Sequence, residues 1–219
     1  MKKTYLWILA LVLLSFVIAG IFLALAPEEI PAHYNVHGQI DRWGSKYEYL
    51  IMPALTALFA ALMVWVSRYE GKKSRESNAR VVAGMTVWVL LLFNAMWIFF
   101  MMQALKTAEQ TVPGPELSLK GILILMMASF IPLGNRMPKT QRNSLLGLRT
   151  KWSMADDVCW QKSQRLGGIT MVAAGALGVA LLSVLPMDWG MCVVTALLLI
   201  MTAADVAGTY LIWKRQQNK

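Results

Sequence analysis

Charge is scarce in this sequence, and histidine and cysteine are scarcer still. Only 15% of its 219 residues are charged and 57% are hydrophobic, where soluble domains run at about 25% charged and about 45–50% apolar. So few charges cannot clothe a soluble globule of this size, and the surplus apolar surface needs lipid. The two cysteines, Cys159 and Cys192, fall in segments assigned to opposite sides of a membrane, which excludes a disulfide framework. The two histidines, His33 and His37, stand four apart. That spacing suits a metal on a helix, but Pro31, Asn35 and Gly38 around them argue against helix, so hydrogen-bonded loop histidines are expected and no metal. There is no Walker-type phosphate loop, no His-Glu-x-x-His and no Gly-x-Ser-x-Gly elbow, so neither an enzyme nor a cofactor is indicated. A clear internal repeat is absent too.

What the sequence has is long apolar runs. About twenty such residues cross a hydrocarbon core roughly 30 Å thick as a helix. Runs at 5–26, 49–67, 81–102, 119–134, 168–186 and 191–213 predict an all-α integral membrane protein, a bundle of about six transmembrane helices in a single membrane domain, 1–219. The fourth run is the shortest, with Pro132 near its end, and can be extended by a turn through Leu117. The first imitates a signal peptide, with Lys2 and Lys3 before it and Ala24-Leu25-Ala26 after it. Its length and Pro27 favour a retained helix.

The net charge of +9 raises the question of nucleic acid, and position answers it. Lys and Arg collect on the cytoplasmic side of short loops. With both termini cytoplasmic, only Arg42, Lys46, Lys106 and Lys120 of the 21 basic residues lie outside. Glu28, Glu29, Asp41, Glu48, Glu109, Glu116 and Asp188 accumulate on that outer side. The basic excess is therefore topology, and no direct nucleic-acid partner is expected.

Two polar residues fall within the spans. An isolated aspartate near the bilayer centre costs on the order of 2.5–3.5 kcal/mol, so Asp205 must face protein or water. It is read either as a relay group or as a structural contact, to an inner-loop Arg or as a protonated carboxyl bonded to another helix. Asn94 is its possible partner, or a bridge between two helices. Ala174 with Gly178 and Ala204 with Gly208 predict close approach of the fifth and sixth helices across the short Pro186–Gly190 connection.

Two loops stand out. The outer one, 27–48, is punctuated by Pro27, Pro31, Gly38 and Gly44, with Tyr34, Val36, Ile40 and Trp43 as a candidate apolar underside lying on the membrane interface. The inner one, 134–168, is the longest soluble stretch. There Ser153 and Asp156 resemble a capping box starting a helix near Met154. Arg136, Lys139, Arg142, Arg149 and Lys151 suit anionic lipid headgroups, an acidic protein face or a phosphorylated ligand, and Trp152 and Trp160 suit interfacial anchoring.

These loops resemble the SdpI-like family of bacterial membrane proteins, whose founding type protects toxin-producing cells from their own secreted killing peptide. The inner match runs through Gly134-Asn135, Pro138-Lys139, Asn143, Gly147-Leu148-Arg149-Thr150, Trp152, Trp160 and Arg165-Leu166-Gly167-Gly168. The outer match, Pro31-Ala32-His33 through Gly38, Asp41, Trp43 and Lys46, with Pro53 opening the second span, resembles the uncharacterised domain that often precedes that signature. One departure is Lys151, where the family commonly has proline, which loosens the turn. The resemblance divides the chain into an N-terminal two-helix segment, 1–80, and an SdpI-like segment, 119–213.

The resemblance implies a multi-pass protein of the bacterial plasma membrane, in contact with membrane lipids. It would give immunity to a secreted antimicrobial peptide met outside at Glu28, Glu29, His33, His37, Asp41, Trp43 and Lys46. It could also signal by holding a small repressor at the inner loop, through Asn135, Pro138, Lys139, Asn143, Gly147, Arg149, Thr150, Trp152, Trp160 and Arg165. The rival expectation is a transporter or membrane-embedded enzyme acting on a lipid or small solute, with Asp205, Asn94 and the Arg-rich loop as its site. An envelope-stress or assembly factor without a ligand is a third.

Overall fold

A computed structural model describes residues 1–34, 40–73, 76–108, 116–143 and 146–218. Six helices dominate: α1 (Lys2–Leu25), α2 (Ile51–Lys73), α3 (Glu76–Ala108), α4 (Glu116–Gly134), α5 (Asp157–Val184) and α6 (Gly190–Gln217). All six contain a stretch long and apolar enough to cross a membrane, as the apolar runs predict. α1 stops at Leu25, before Pro27, which cannot donate a helical hydrogen bond. α2 tolerates Pro53 because it lies in the first turn, where N–H groups have no helical partner. α4 begins at Glu116, so the fourth helix includes Leu117, while its membrane-crossing stretch begins at Leu119.

α3 has 33 residues and is therefore about 50 Å long at about 1.5 Å per residue, well beyond a hydrocarbon core of about 30 Å. Its surplus turns carry Asn78 beyond the apolar run to the inner loop. α1, α2 and α3 pack together, α5 packs on both α4 and α6, and α3 against α4 is the helix seam between the two sets. Polar bonds tie the first set. Asn94 Nδ2 donates to the Leu11 carbonyl of α1 at 3.2 Å, Trp97 Nε1 donates to Thr56 Oγ1 of α2 at 2.8 Å, and Ser67 Oγ donates to Ala79 O at 2.9 Å.

The small residues act differently from expectation. A Cβ on Gly178 would meet Met127 of α4, a Cβ on Gly175 would lie 2.7 Å from Met127 O, and one on Gly168 2.7 Å from Gly134 O. These glycines therefore admit α4 rather than α6. Gly208 does serve the α5–α6 contact, against Leu166, whereas Ala204 is exposed. Helical spacing placed these residues on a face, but it could not say which neighbour that face meets.

The outer loop is a β-hairpin, β1 (Glu29–Tyr34) with β2 (Ile40–Ser45), antiparallel and irregular around His33. Ile30 is fully buried and packs with Phe22 of α1, Tyr49, and Met101 and Ala104 of α3. The Tyr49 ring stacks on Phe22 at 4.8 Å, and its hydroxyl donates to Pro31 O at 3.2 Å. The hairpin is thereby seated on the helix ends through Ile30. Trp43 is 50% exposed to the surroundings of the protein. Val36, His37 and the Tyr34 side chain lie outside the described residues.

Candidate functional site: the outer hairpin and the inner signature loop

On the hairpin the charges are paired. Arg42 donates to both carboxylate oxygens of Glu48, at 3.1 and 2.8 Å. Lys46 Nζ lies 3.0 Å from Glu28 Oε1 and donates to Ala26 O at 3.4 Å. His33 Nδ1 bonds Asp41 Oδ1 at 2.6 Å, so the expected loop hydrogen bond is present for this histidine. Glu28 and Glu48 are paired with Lys46 and Arg42, and Asp41 with His33, so Glu29 is the hairpin acid without a basic partner among the described residues. The hairpin's exposed faces carry Glu29 and Asp41 with Trp43 and Tyr47. Gly44 is required where it stands, since a Cβ there would collide with Glu48 and lie 2.8 Å from Ala32 Cβ.

The inner signature segment is a clamped loop. Only its first part is irregular, because α5 already begins at Asp157. Asp156 is the N-cap, accepting from Cys159 N at 2.7 Å. That hydrogen bond holds the Asp156 carboxyl below the usual carboxylate range, with a smaller contribution from Arg142. Ser153 is not the expected capping residue. It is fully buried, and its Oγ accepts from Thr150 N at 2.9 Å and donates to Leu148 O at 2.8 Å, while Ser153 N donates to Thr150 Oγ1 at 3.0 Å. This pair closes the turn that Lys151 was expected to loosen. Thr150 Oγ1 continues to Thr209 Oγ1 of α6 at 3.1 Å.

Gly147 has φ +97°, a backbone region costly for residues with a Cβ, and a Cβ there would strike the Gln164 amide. Gln164, fully buried on α5, returns two bonds to the next residue of the loop: Leu148 N donates to its Oε1 and its Nε2 donates to Leu148 O, both at 2.9 Å. Asn78 of α3 makes the matching clamp on Gln141, by Gln141 N to Asn78 Oδ1 at 2.9 Å and Asn78 Nδ2 to Gln141 O at 3.2 Å. Asn143 bridges its own turn, donating to Gln141 O at 2.8 Å and accepting from Leu146 N at 2.7 Å. Pro138 packs on Gly168, whose added Cβ would be 3.1 Å away.

Trp160 is 1% exposed and donates to Thr140 O at 2.9 Å. It is therefore an internal strut rather than the expected interfacial anchor. Trp152 is half-buried against Tyr210 of α6, with ring centroids 5.2 Å apart. Arg142 is committed internally, bonding Asp157 at 3.0 Å and donating to Met154 O and Ala155 O. Lys151 lies over the Trp152 ring. Asn135, Lys139, Arg149 and Arg165 are exposed.

Asp205 is buried and accepts from Thr170 Oγ1 of α5 at 2.8 Å. Asn94 is not its partner but the alternative bridge between two helices, bonding α1 and its own helix; of the structural alternatives for Asp205, the contact is to another helix, not to an inner-loop Arg. No group of three or more metal-ligating side chains occurs among the described residues. Gln164, Asn78, Thr140 and Thr209 escape a reading of the sequence by motif. Gln164 carried one signal, sharing a helical face with Trp160 and Gly167–Gly168.

Against known proteins, residues 10–57 match a domain of unknown function, DUF1648, and residues 139–207 match the SdpI/YfhL protein family. The chain is 24% identical over 216 residues to the immunity protein SdpI of Bacillus subtilis, covering 98% of both chains. No solved structure matches. The outer hairpin falls within the first match, and the clamps on Gln141 and Leu148 within the second. This multi-pass chain thus carries a DUF1648 domain followed by an SdpI/YfhL family domain, the order its two motifs imply.

Proposed function

We propose that this chain is an immunity protein of the bacterial plasma membrane, with cytoplasmic termini, that intercepts a secreted antimicrobial peptide at its outer hairpin. The observation that carries the reading is the seating of that hairpin: Ile30, Tyr49 and Lys46 fix it on the helix ends, leaving Trp43, Tyr47, Glu29 and Asp41 outward. A fixed platform loses less conformational freedom on binding than a flexible loop. Its outward acids, Glu29 and Asp41, draw a cationic, amphipathic peptide before the peptide disturbs lipid. The likeness to an immunity protein along 98% of the chain supports the same reading.

On the inner side, Lys139 and Arg149, with Arg165 on α5, are exposed basic residues of a segment whose loop backbone is fixed by Asn78 and Gln164. We infer that this is where a small repressor docks, through an acidic face. The rival reading, a transporter or enzyme using Asp205, finds no second relay member bonded to Asp205 among the described residues, because Asp205 bonds Thr170 and Asn94 serves another helix pair.

The test is survival of a sensitive bacterium expressing the chain and challenged with secreted antimicrobial peptides, beside an empty-vector strain. Wild type should protect, and Glu29→Lys with Asp41→Lys should abolish protection at equal membrane abundance. Asp205→Asn, which keeps an acceptor for Thr170, should protect like wild type. Its failure at normal abundance would move the function to α6.

A further inference from the structure

Between α3 and α4 runs an apolar groove of about 250 Å³. Trp88, Leu92 and Ala95 form one wall, and Leu125, Ala128 and Pro132 the other. Ser129 also lines it, but its hydroxyl is turned onto Met126 O at 2.6 Å. The lining therefore suits hydrocarbon rather than a polar solute. Trp88 and Leu91 are 42% and 43% exposed, so the groove opens on the bilayer side of the bundle.

The seam fixes what lies at each end. Gly121 meets the Phe99 ring at one end, and at the other the Arg136 guanidinium lies over Gly84, with its central carbon 3.1 Å from where a Cβ would stand. Gly84 is one helical turn before Trp88, and Arg136 is three residues past Leu133. The half-buried cation therefore sits about one helical turn beyond the groove's last lining residues, Trp88 and Leu133. Among the described residues no carboxylate pairs with Arg136. Arg142, by contrast, is neutralised by Asp157 at 3.0 Å.

An unpaired guanidinium at the end of an apolar channel matches an amphiphile with an anionic head and a hydrocarbon tail. We propose that an anionic phospholipid occupies this groove, its phosphate on Arg136 and one acyl chain between α3 and α4. Guanidinium and phosphate match in a bidentate geometry that a zwitterionic headgroup satisfies less well, since its own ammonium competes for the phosphate. The site lies on the seam between the two helix sets, so occupancy would join them.

The experiment is native mass spectrometry of the purified full chain titrated with dioleoylphosphatidylglycerol and dioleoylphosphatidylcholine. The anionic lipid should bind at least about fivefold more tightly, as expected for one basic side chain meeting an anionic headgroup. Arg136→Gln should erase that preference, and Arg136→Lys, which keeps the charge but loses the guanidinium fork, should retain only part of it. Ala128→Phe, which fills the groove, should weaken both lipids, whereas Arg149→Gln on the exposed loop should change neither. Equal affinities for the two lipids in wild type, a preference surviving Arg136→Gln, or unaltered binding in Ala128→Phe would each overturn the proposal. Glycerol phosphate competing as well as intact lipid would overturn the acyl-chain part. If Arg136→Gln does not fold, the wild-type preference and Ala128→Phe still decide.

Discussion

At the scale of single residues, the inner loop depends on two amides and one glycine. Removing Gln164 leaves the Leu148 N–H without the side-chain acceptor that binds it. A buried donor left unsatisfied costs about 1–3 kcal/mol, so Gln164→Ala should lower the thermal midpoint in detergent by that equivalent. Gly147→Ala should cost a similar about 1–3 kcal/mol through its left-handed backbone. Arg149→Ala, on the exposed surface of the same loop, should stay within about 0.5 kcal/mol. If Arg149→Ala alone abolishes signalling while retaining stability, surface and scaffold are separable, as the clamps imply. Asp156 adds a pH dependence. Its folded-state pKa is depressed by the Cys159 N–H, so the stability it contributes is present above the ordinary carboxylate range and is lost as pH falls below about 4. Asp156→Asn keeps the cap and should remove that component of acid sensitivity, whereas Asp156→Ala should cost about 1 kcal/mol at neutral pH. Midpoints measured from pH 3 to 7 check both.

At the scale of elements, the α4–α5 seam rests on glycines that admit backbone contact. Gly175→Ala should destabilise by about 1–3 kcal/mol, because its Cβ would press on Met127 O. Gly20→Ala on α1, with nothing within 4 Å, should instead stabilise by about 0.5–1 kcal/mol. A ranking reversed in thermal unfolding would mean that α5 does not meet α4 as described. The six spans were legible because hydrocarbon thickness imposes length and hydropathy on each of them. The hairpin was legible only as a punctuated, non-helical loop: β1 contains Pro31, and its register slips on both sides of His33, so strict alternation is missing. The start of α5 was displaced because Ser153 and Asp156 fit a capping box by spacing. The buried bonds of Ser153 to Leu148 and Thr150, which depend on how the loop folds back, decide otherwise. The clamps themselves join residues 16 and 63 positions apart, a separation that periodicity within one element does not reach.

At the scale of the whole molecule, six spans place the hairpin and the signature loop on opposite faces of the bundle, with the α3–α4 seam between the two helix sets. The proposed orientation puts the Pro186–Gly190 turn outside and the C-terminus inside. In a Cys192→Ser background, Asp188→Cys should react with a membrane-impermeant thiol reagent added to intact cells, and Asn218→Cys only after the membrane is opened. The reverse pattern would invert the topology and separate the hairpin from any secreted peptide. The most direct test of the central claim is photo-cross-linking. A photoreactive amino acid is placed at Trp43 or at Arg149, in living cells exposed to a peptide against which the chain protects. Adducts with the peptide from position 43 and none from position 149 are the predicted result. Adducts from 149 alone, or none from 43 while protection persists, would contradict the assignment of the outer hairpin as the surface that meets the toxin.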